Sequence, residues 1–183
     1  LLRSQGKREE ALAAVRAARQ RFPEETGLLR LEAITLADLG RVEEAVGLIR
    51  PRLTGGTGDY EEYLVLANLL MNAGRGGEAV EAANKAVGLA AADEPQQATN
   101  ALLMLSSAQE RAGDTKGSEE TLRKILAKDP NNSTALNNLG YFLAERNERL
   151  NEALEMTQRA VRAEPTNPSF LDSLGWVYFK LGK

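Results

Sequence analysis

The sequence predicts an all-α protein built from repeated antiparallel helix pairs, and three observations carry that expectation. Gly6, Gly40 and Gly74 lie 34 residues apart, and Gly113 follows after 39. Five residues beyond each stands a small side chain: Ala11, Ala45, Ala79 and Ser118. Leu and Ala are the commonest residues and aromatics are only 5% of the chain. That mixture favours helices, because strands select β-branched and aromatic side chains. A period of this length marks a repeat architecture, in which each unit buries its apolar face against its neighbours.

The best-formed unit reads Leu136, Leu139, Gly140, Leu143, Ala153, Ala160 and Pro165. This pattern resembles the tetratricopeptide repeat, a helix–turn–helix unit of 34 residues. The resemblance covers essentially the whole chain and implies a right-handed α-solenoid of antiparallel helix pairs, one domain over residues 1–183. Its repeats fall at 1–25 (second half only), 26–59, 60–98, 99–132, 133–167 and 168–183 (first helix only). Both ends stop inside a repeat, so the chain is expected to be a fragment of a longer protein.

Each recurring residue type has a physical reason. Ala33, Ala67, Ser106, Gly140 and Gly175 fall where the two helices of a unit approach closely, and only small side chains let ridges settle into grooves there. Gly6, Gly40, Gly74, Gly113 and Gly182 are placed to stop the first helix with a left-handed residue, Asn147 doing so in the longer fourth unit. Glu10, Glu44, Glu78 and Glu152 each precede an alanine in the first turn of the second helix. A carboxylate there complements the helix dipole by about 0.3–1 kcal/mol.

Two units depart from the period. Pro51 predicts a shortened second helix, since an interior proline costs about 3 kcal/mol. The following Thr54–Gly58 reads as a loose connector. In the next unit, Gly88–Ala92 is expected to extend the second helix before Asp93-Glu94-Pro95, which accounts for the spacing of 39.

Composition excludes several function classes. The chain has no Cys and no His, which removes the usual zinc sites, iron–sulfur clusters, disulfides, Cys nucleophiles and Ser–His–Asp triads. No cofactor or metal is expected. Lys plus Arg number 23 against 26 Asp plus Glu, a formal charge of -3, whereas phosphate binding needs a clustered basic surface. Nucleic acid is therefore not expected as a partner. No apolar stretch approaches the roughly 20 residues that span a bilayer, so direct membrane insertion is not expected. The absence of cysteine fits either side of a membrane, and the resemblance to bacterial proteins of this family implies the bacterial cytoplasm or the periplasm and cell envelope.

Three motifs receive structural readings. Gly55-Gly56-Thr57-Gly58 lacks the strand and Lys of a phosphate cradle and reads as a connector. The acid pairs Glu9-Glu10, Glu43-Glu44 and Glu119-Glu120 sit on helices, where adjacent side chains diverge, so they read as a solvated face. Asn131-Asn132-Ser133-Thr134 contains two overlapping glycosylation sequons but falls at a helix start, and capping is the reading adopted.

The remaining candidate is a concave groove. The resemblance implies that the first helix of each repeat lines it: Arg30, Ile34 and Ala37; Glu61, Leu64, Asn68 and Met71; Asn100, Leu103, Ser107 and Glu110. Further along come Thr134, Asn137, Tyr141 and Ala144, then Ser169, Asp172, Trp176 and Phe179. Relatives that clamp chaperone C-terminal carboxylates use Lys, Asn and Arg at matching places. Arg30, Ile34, Leu64, Leu103 and Ser107 do not reproduce that clamp. The lining is apolar and amide-rich, with aromatics at one end, as suits an extended peptide or a helix. Trp176 and Phe179 have a second reading, as core residues of a repeat continuing beyond Lys183.

The leading expectation is a non-catalytic scaffold that binds a peptide or partner protein. Asn138–Lys183 resembles bacterial envelope adaptor proteins of this family. Alternatives are a regulatory or substrate-docking region of a larger enzyme such as a glycosyltransferase, or homo-oligomerisation through the unpaired last helix.

Overall fold

A computed structural model describes residues 7–56, 59–90 and 94–182. The expectations for Gly6, Thr57, Gly58, Ala91, Ala92, Asp93 and Lys183 fall outside them. The described residues form ten α-helices and no strand. These are α1 (Arg8–Arg21), α2 (Thr26–Asp38), α3 (Val42–Ile49), α4 (Tyr60–Asn72), α5 (Gly76–Leu89), α6 (Pro95–Arg111), α7 (Thr115–Lys128), α8 (Ser133–Glu145), α9 (Leu150–Ala163) and α10 (Pro168–Lys180). They divide into two compact units, residues 1–113 and 114–183.

In the first unit α2 packs on α3 and α4 on α5, while α4 also meets α2 and α6. Leu12, Leu36, Val46, Ile49, Leu66, Leu69, Leu70 and Leu105 share one core with Ala33, Ala45, Ala67 and Ala79. Each fully buried leucine or isoleucine contributes about 1.5–3 kcal/mol. The alanines contribute little area, yet they set how near the helix axes come. In the second unit α8 packs on α9, and α10 lies against both. Leu136, Ala160 and Phe170 anchor that contact.

Helix ends follow the expected chemistry. Gly40, Gly74, Gly113 and Gly182 all have positive φ, from 71° to 82°, and Asn147 has φ 54°. After α2 the chain turns so that Arg41 N–H reaches the Leu36 carbonyl (2.9 Å), and Arg75 reaches Leu70 in the same way (2.9 Å). These bonds satisfy carbonyls that the helix leaves open. Asn132 caps α8 by accepting from Ala135 N–H at 3.0 Å.

Close approach holds at Ala33, Ala67 and Gly140, where α2 meets α3, α4 meets α5 and α8 meets α9. Ala33, Ala67 and Ser106 are fully buried. A Cβ on Gly140 would lie 2.8 Å from Thr157 Cγ2 and 2.9 Å from the Ala153 carbonyl. Gly175 is the exception: it is exposed, and a Cβ there would meet nothing within 4 Å. In α8 the matching glycine faces α9, but among the described residues no helix follows α10.

The two irregular units resolve differently. Pro51 ends α3 after 8 residues, and Arg50–Arg52 form a 3₁₀ turn. The described part of the connector is fixed, not loose. Buried Asp59 accepts from Gly55 N–H at 2.7 Å and from Thr54 N–H and Oγ1. The expected extension of α5 is not formed. α5 ends at Leu89 with the ordinary 14 residues, and α6 is the long helix, at 17. Ala90 leaves the helix at ψ 126°, and Pro95 opens the next one at its first turn. There a missing N–H costs nothing and the fixed φ is already helical.

Ion pairs join successive second helices within each unit. Arg75, the residue just before α5, bonds Glu78 of α5 (2.7 Å) and Glu43 of α3 (3.0 Å), while Arg50 reaches Glu78 (2.6 Å). In the second unit Arg123 bonds Glu119 (2.8 Å) and Glu152 (2.7 Å), and Arg149 also bonds Glu119. Adjacent acids thus point to different arginines: Glu44 to Arg41 and Glu43 to Arg75. The Arg75 and Arg50 guanidinium groups hold the Glu78 carboxyl down to about 2. A different pair ties α1 to α2, where buried Glu32 accepts from Arg16 (2.8 Å) and Arg19.

Candidate protein-binding surface

The first helices place the expected lining residues in register, but not all of them present side chains. In the first unit Ile34, Leu64 and Leu103 are half-buried on α2, α4 and α6. Asn68 and Asn100 are exposed, and each amide oxygen accepts from a neighbour one turn away, Asn72 (3.3 Å) and Gln96 (2.9 Å). Ser107 turns its hydroxyl back to the Leu103 carbonyl (3.1 Å), a common use of serine inside a helix.

Two members of the expected lining do other work. Arg30 donates to Glu62 at 2.9 Å and so ties α2 to α4. Met71 is only 9% exposed and belongs to the core of the first unit. Spacing alone cannot foresee either outcome, because both depend on which neighbour an elongated side chain reaches.

The second unit gathers its candidates more tightly. Asn137, Tyr141 and Glu145 follow one another at four-residue steps along α8, one face of the helix. Asp172, Trp176 and Phe179 form the matching stripe on α10. Between the stripes lies an open recess of about 660 Å³, lined by Tyr141, Glu145, Leu171, Asp172, Gly175, Trp176 and Phe179. Trp176 and Phe179 stack at 5.2 Å between centroids, with an interplanar angle of 21°. Lys180 Nζ stands 5.0 Å above the Trp176 ring and donates to the Glu145 carbonyl at 3.5 Å. Phe179 is 68% exposed and Leu171 47%, a costly display for apolar side chains unless something covers them. Ala144, by contrast, is fully buried and lines nothing.

Two buried polar atoms here have no hydrogen-bond partner among the described residues: Asn137 Oδ1 and Trp176 Nε1. Asn137 is 7% exposed, and its amide nitrogen donates to Asn138 Oδ1 at 3.4 Å. The expected lining includes Tyr141, Asp172, Trp176 and Phe179 but neither Leu171, which lines the recess, nor Lys180, which stands over the Trp176 ring. Leu171 lies one position off the expected stripe, and among the described residues no helix follows α10 to cover that side.

Elsewhere the chemistry is filled from within. In the glycine-rich connector, Asp59 occupies the N–H groups of Thr54 and Gly55 that an anion would need. Burial pushes its carboxyl up, but those N–H bonds prevail and hold it below the usual range. A smaller recess of about 370 Å³ lies between this connector and α5, against Tyr63, Asn84, Lys85 and Leu89. Among the described residues no three acidic side chains converge to hold a metal ion, and no helix is long and apolar enough to cross a membrane.

Stacked helix pairs with a small residue at each close approach and a left-handed stop after each first helix define a helical-repeat protein of the α-solenoid class. The tetratricopeptide-repeat family model matches residues 1–50 and 103–168, and the chain belongs to that family. It is 34% identical over 150 residues to a TPR repeat-containing protein of Pseudomonas aeruginosa, covering 81% of this chain. The match spans about a quarter, 24%, of that relative's length. Among solved structures, a thermophilic TPR protein of Thermus thermophilus superposes with a TM-score of 0.74 at 20% identity, covering 100% of this chain and 94% of that one. YrrB, described as a TPR protein with an unusual peptide-binding site, superposes with a TM-score of 0.59 at 19% identity, over 94% and 86%.

Proposed function

We propose that this chain is a non-catalytic interaction scaffold that binds a peptide or a partner protein on the surface of its first helices. The observation that carries this reading is the recess between α8 and α10, where exposed Phe179 and Leu171 meet half-buried Tyr141 and Trp176. Aromatic side chains gathered in a partly desolvated site are the usual carriers of binding energy. The other conspicuous polar groups are engaged in caps, ion pairs and the Asp59 turn. The peptide-binding site of YrrB supports the reading by fold analogy alone.

The test is a peptide array probed with the purified chain, followed by calorimetric titration of its strongest ligand. Tyr141→Ala is expected to weaken that ligand by about tenfold or more, as loss of an aromatic anchor does. Leu103→Ala reads the surface of the first unit in the same way. Unchanged affinity in both variants, with helical circular dichroism intact, refutes a binding surface on the first helices.

A further inference from the structure

Resting on the proposed scaffold reading, we infer that the recess between α8 and α10 takes a peptide segment with an apolar anchor flanked by Lys or Arg. Three features of the recess support this assignment.

The first is shape and polarity. Tyr141, Leu171, Trp176 and Phe179 make an apolar floor and wall. Gly175 adds no side chain to that wall, and among the described residues nothing stands within 4 Å of where its Cβ would be. A leucine-sized or aromatic anchor buries its area there and covers Phe179 as it does so.

The second is the pair of orphaned polar atoms. Trp176 Nε1 is a buried donor without an acceptor, and Asn137 Oδ1 is a buried acceptor without a donor. They stand on the two helices that form the recess. A buried group left unpaired forfeits the bonds it made to water. Turned toward a bound peptide, the first can donate to a backbone carbonyl and the second can accept from a backbone N–H, partners that a purely apolar ligand does not offer.

The third is charge. Glu145 and Asp172 line the recess and are exposed. Neither carboxylate is paired with a cation among the described residues, unlike Glu119 and Glu152 in the same unit. Lys180 lies over the Trp176 ring and bonds the Glu145 backbone carbonyl, not either carboxylate. Two unpaired acids beside an apolar anchor site favour a cationic neighbour on the ligand and disfavour an acidic one.

Trp176 is the single tryptophan of the chain, so its emission reports this recess and nothing else. The probes are an amidated alanine decapeptide with two central leucines flanked by arginines, and the same peptide with glutamates in place of arginines. The arginine peptide is expected to shift Trp176 emission saturably, and the glutamate peptide to bind about tenfold more weakly, a like-charge penalty reduced by the exposure of both carboxylates. Glu145→Gln with Asp172→Asn is expected to abolish the preference, and both positions are exposed, so the fold is not at stake. Trp176→Phe keeps a ring but removes the donor, and calorimetry is expected to show several-fold weaker binding of the arginine peptide. Equal titration by both peptides overturns the inference, as does emission that neither peptide alters. Emission that shifts with protein concentration alone also overturns it, because a second copy then fills the recess. If array ligands depend on Leu103 or Tyr141 while the two probes titrate alike, the scaffold reading survives and the basic-peptide assignment falls.

Discussion

Gly140 and Thr157 stand so close across the α8–α9 contact that a methyl group added to the glycine would lie 2.8 Å from Thr157 Cγ2. The same methyl would also press on the Ala153 carbonyl at 2.9 Å, and backbone yields little. Gly140→Ala is therefore expected to destabilise the chain by about 1–3 kcal/mol, the usual cost of overpacking a filled contact. Gly175 occupies the same place in its repeat, but a Cβ there would meet nothing within 4 Å among the described residues. Gly175→Ala is expected to stabilise α10 by about 0.5–1 kcal/mol, since alanine loses less backbone freedom than glycine inside a helix. Thermal unfolding of the two variants should move in opposite directions.

Gly76 and Gly77 offer a parallel contrast in the first turn of α5. A Cβ on Gly76 would sit 2.7 Å from Ala112 Cα and 2.9 Å from Ala112 N, whereas one on Gly77 would meet nothing within 4 Å. Gly76→Ala is expected to cost about 1–3 kcal/mol by forcing α5 away from the end of α6. Gly77→Ala should be neutral or slightly favourable. Urea denaturation curves with unchanged slope would check both.

Acid should loosen the second unit through Glu119. The Arg149 guanidinium chiefly, with Arg123 adding to it and burial opposing, holds its carboxyl from 4.5 down to about 2. A carboxyl that keeps its charge to lower pH when folded stabilises the fold fully above its unfolded pKa and loses that contribution as pH falls through the folded one. Part of the stability is thus expected to disappear between about pH 5 and pH 2, following this carboxyl's own range. Glu119→Gln should be less stable at neutral pH and show a flatter decline in that window, read as the urea midpoint against pH.

Asp59 fixes the connector after α3 by accepting from Gly55 and Thr54. Asp59→Ala is expected to cost about 1–3 kcal/mol, the penalty of leaving partly buried donors unmet. Hydrogen exchange should speed at the Thr54 and Gly55 amides, with the α8 amides unaffected. Unchanged protection at Thr54 would show that the carboxylate does not hold the turn.

Much of the fold could be read from residue types at fixed offsets. Gly40, Gly74 and Gly113 stop helices because a left-handed residue is a local demand, and Asn147 meets it where glycine is absent. Asn132 caps α8 for an equally local reason. The extra residues before α6 were misplaced in the expectation because a Gly-Leu-Ala-Ala-Ala run continues a helix on propensity, while Ala90 in fact turns extended ahead of Pro95.

By itself, the sequence determined the helix pairs, their stops and the small residues at their contacts, since each is encoded by backbone conformation or by size at one position. Only the tertiary structure decided which lining residues face out. It drew Met71 into the core, tied Arg30 to Glu62 and left Gly175 bare. It also set Phe179 and Leu171 beside Tyr141 and left two buried polar atoms unpaired at α8 and α10. Those outcomes depend on what stands across from a side chain, and that neighbour comes from a different helix, often a full repeat away in sequence.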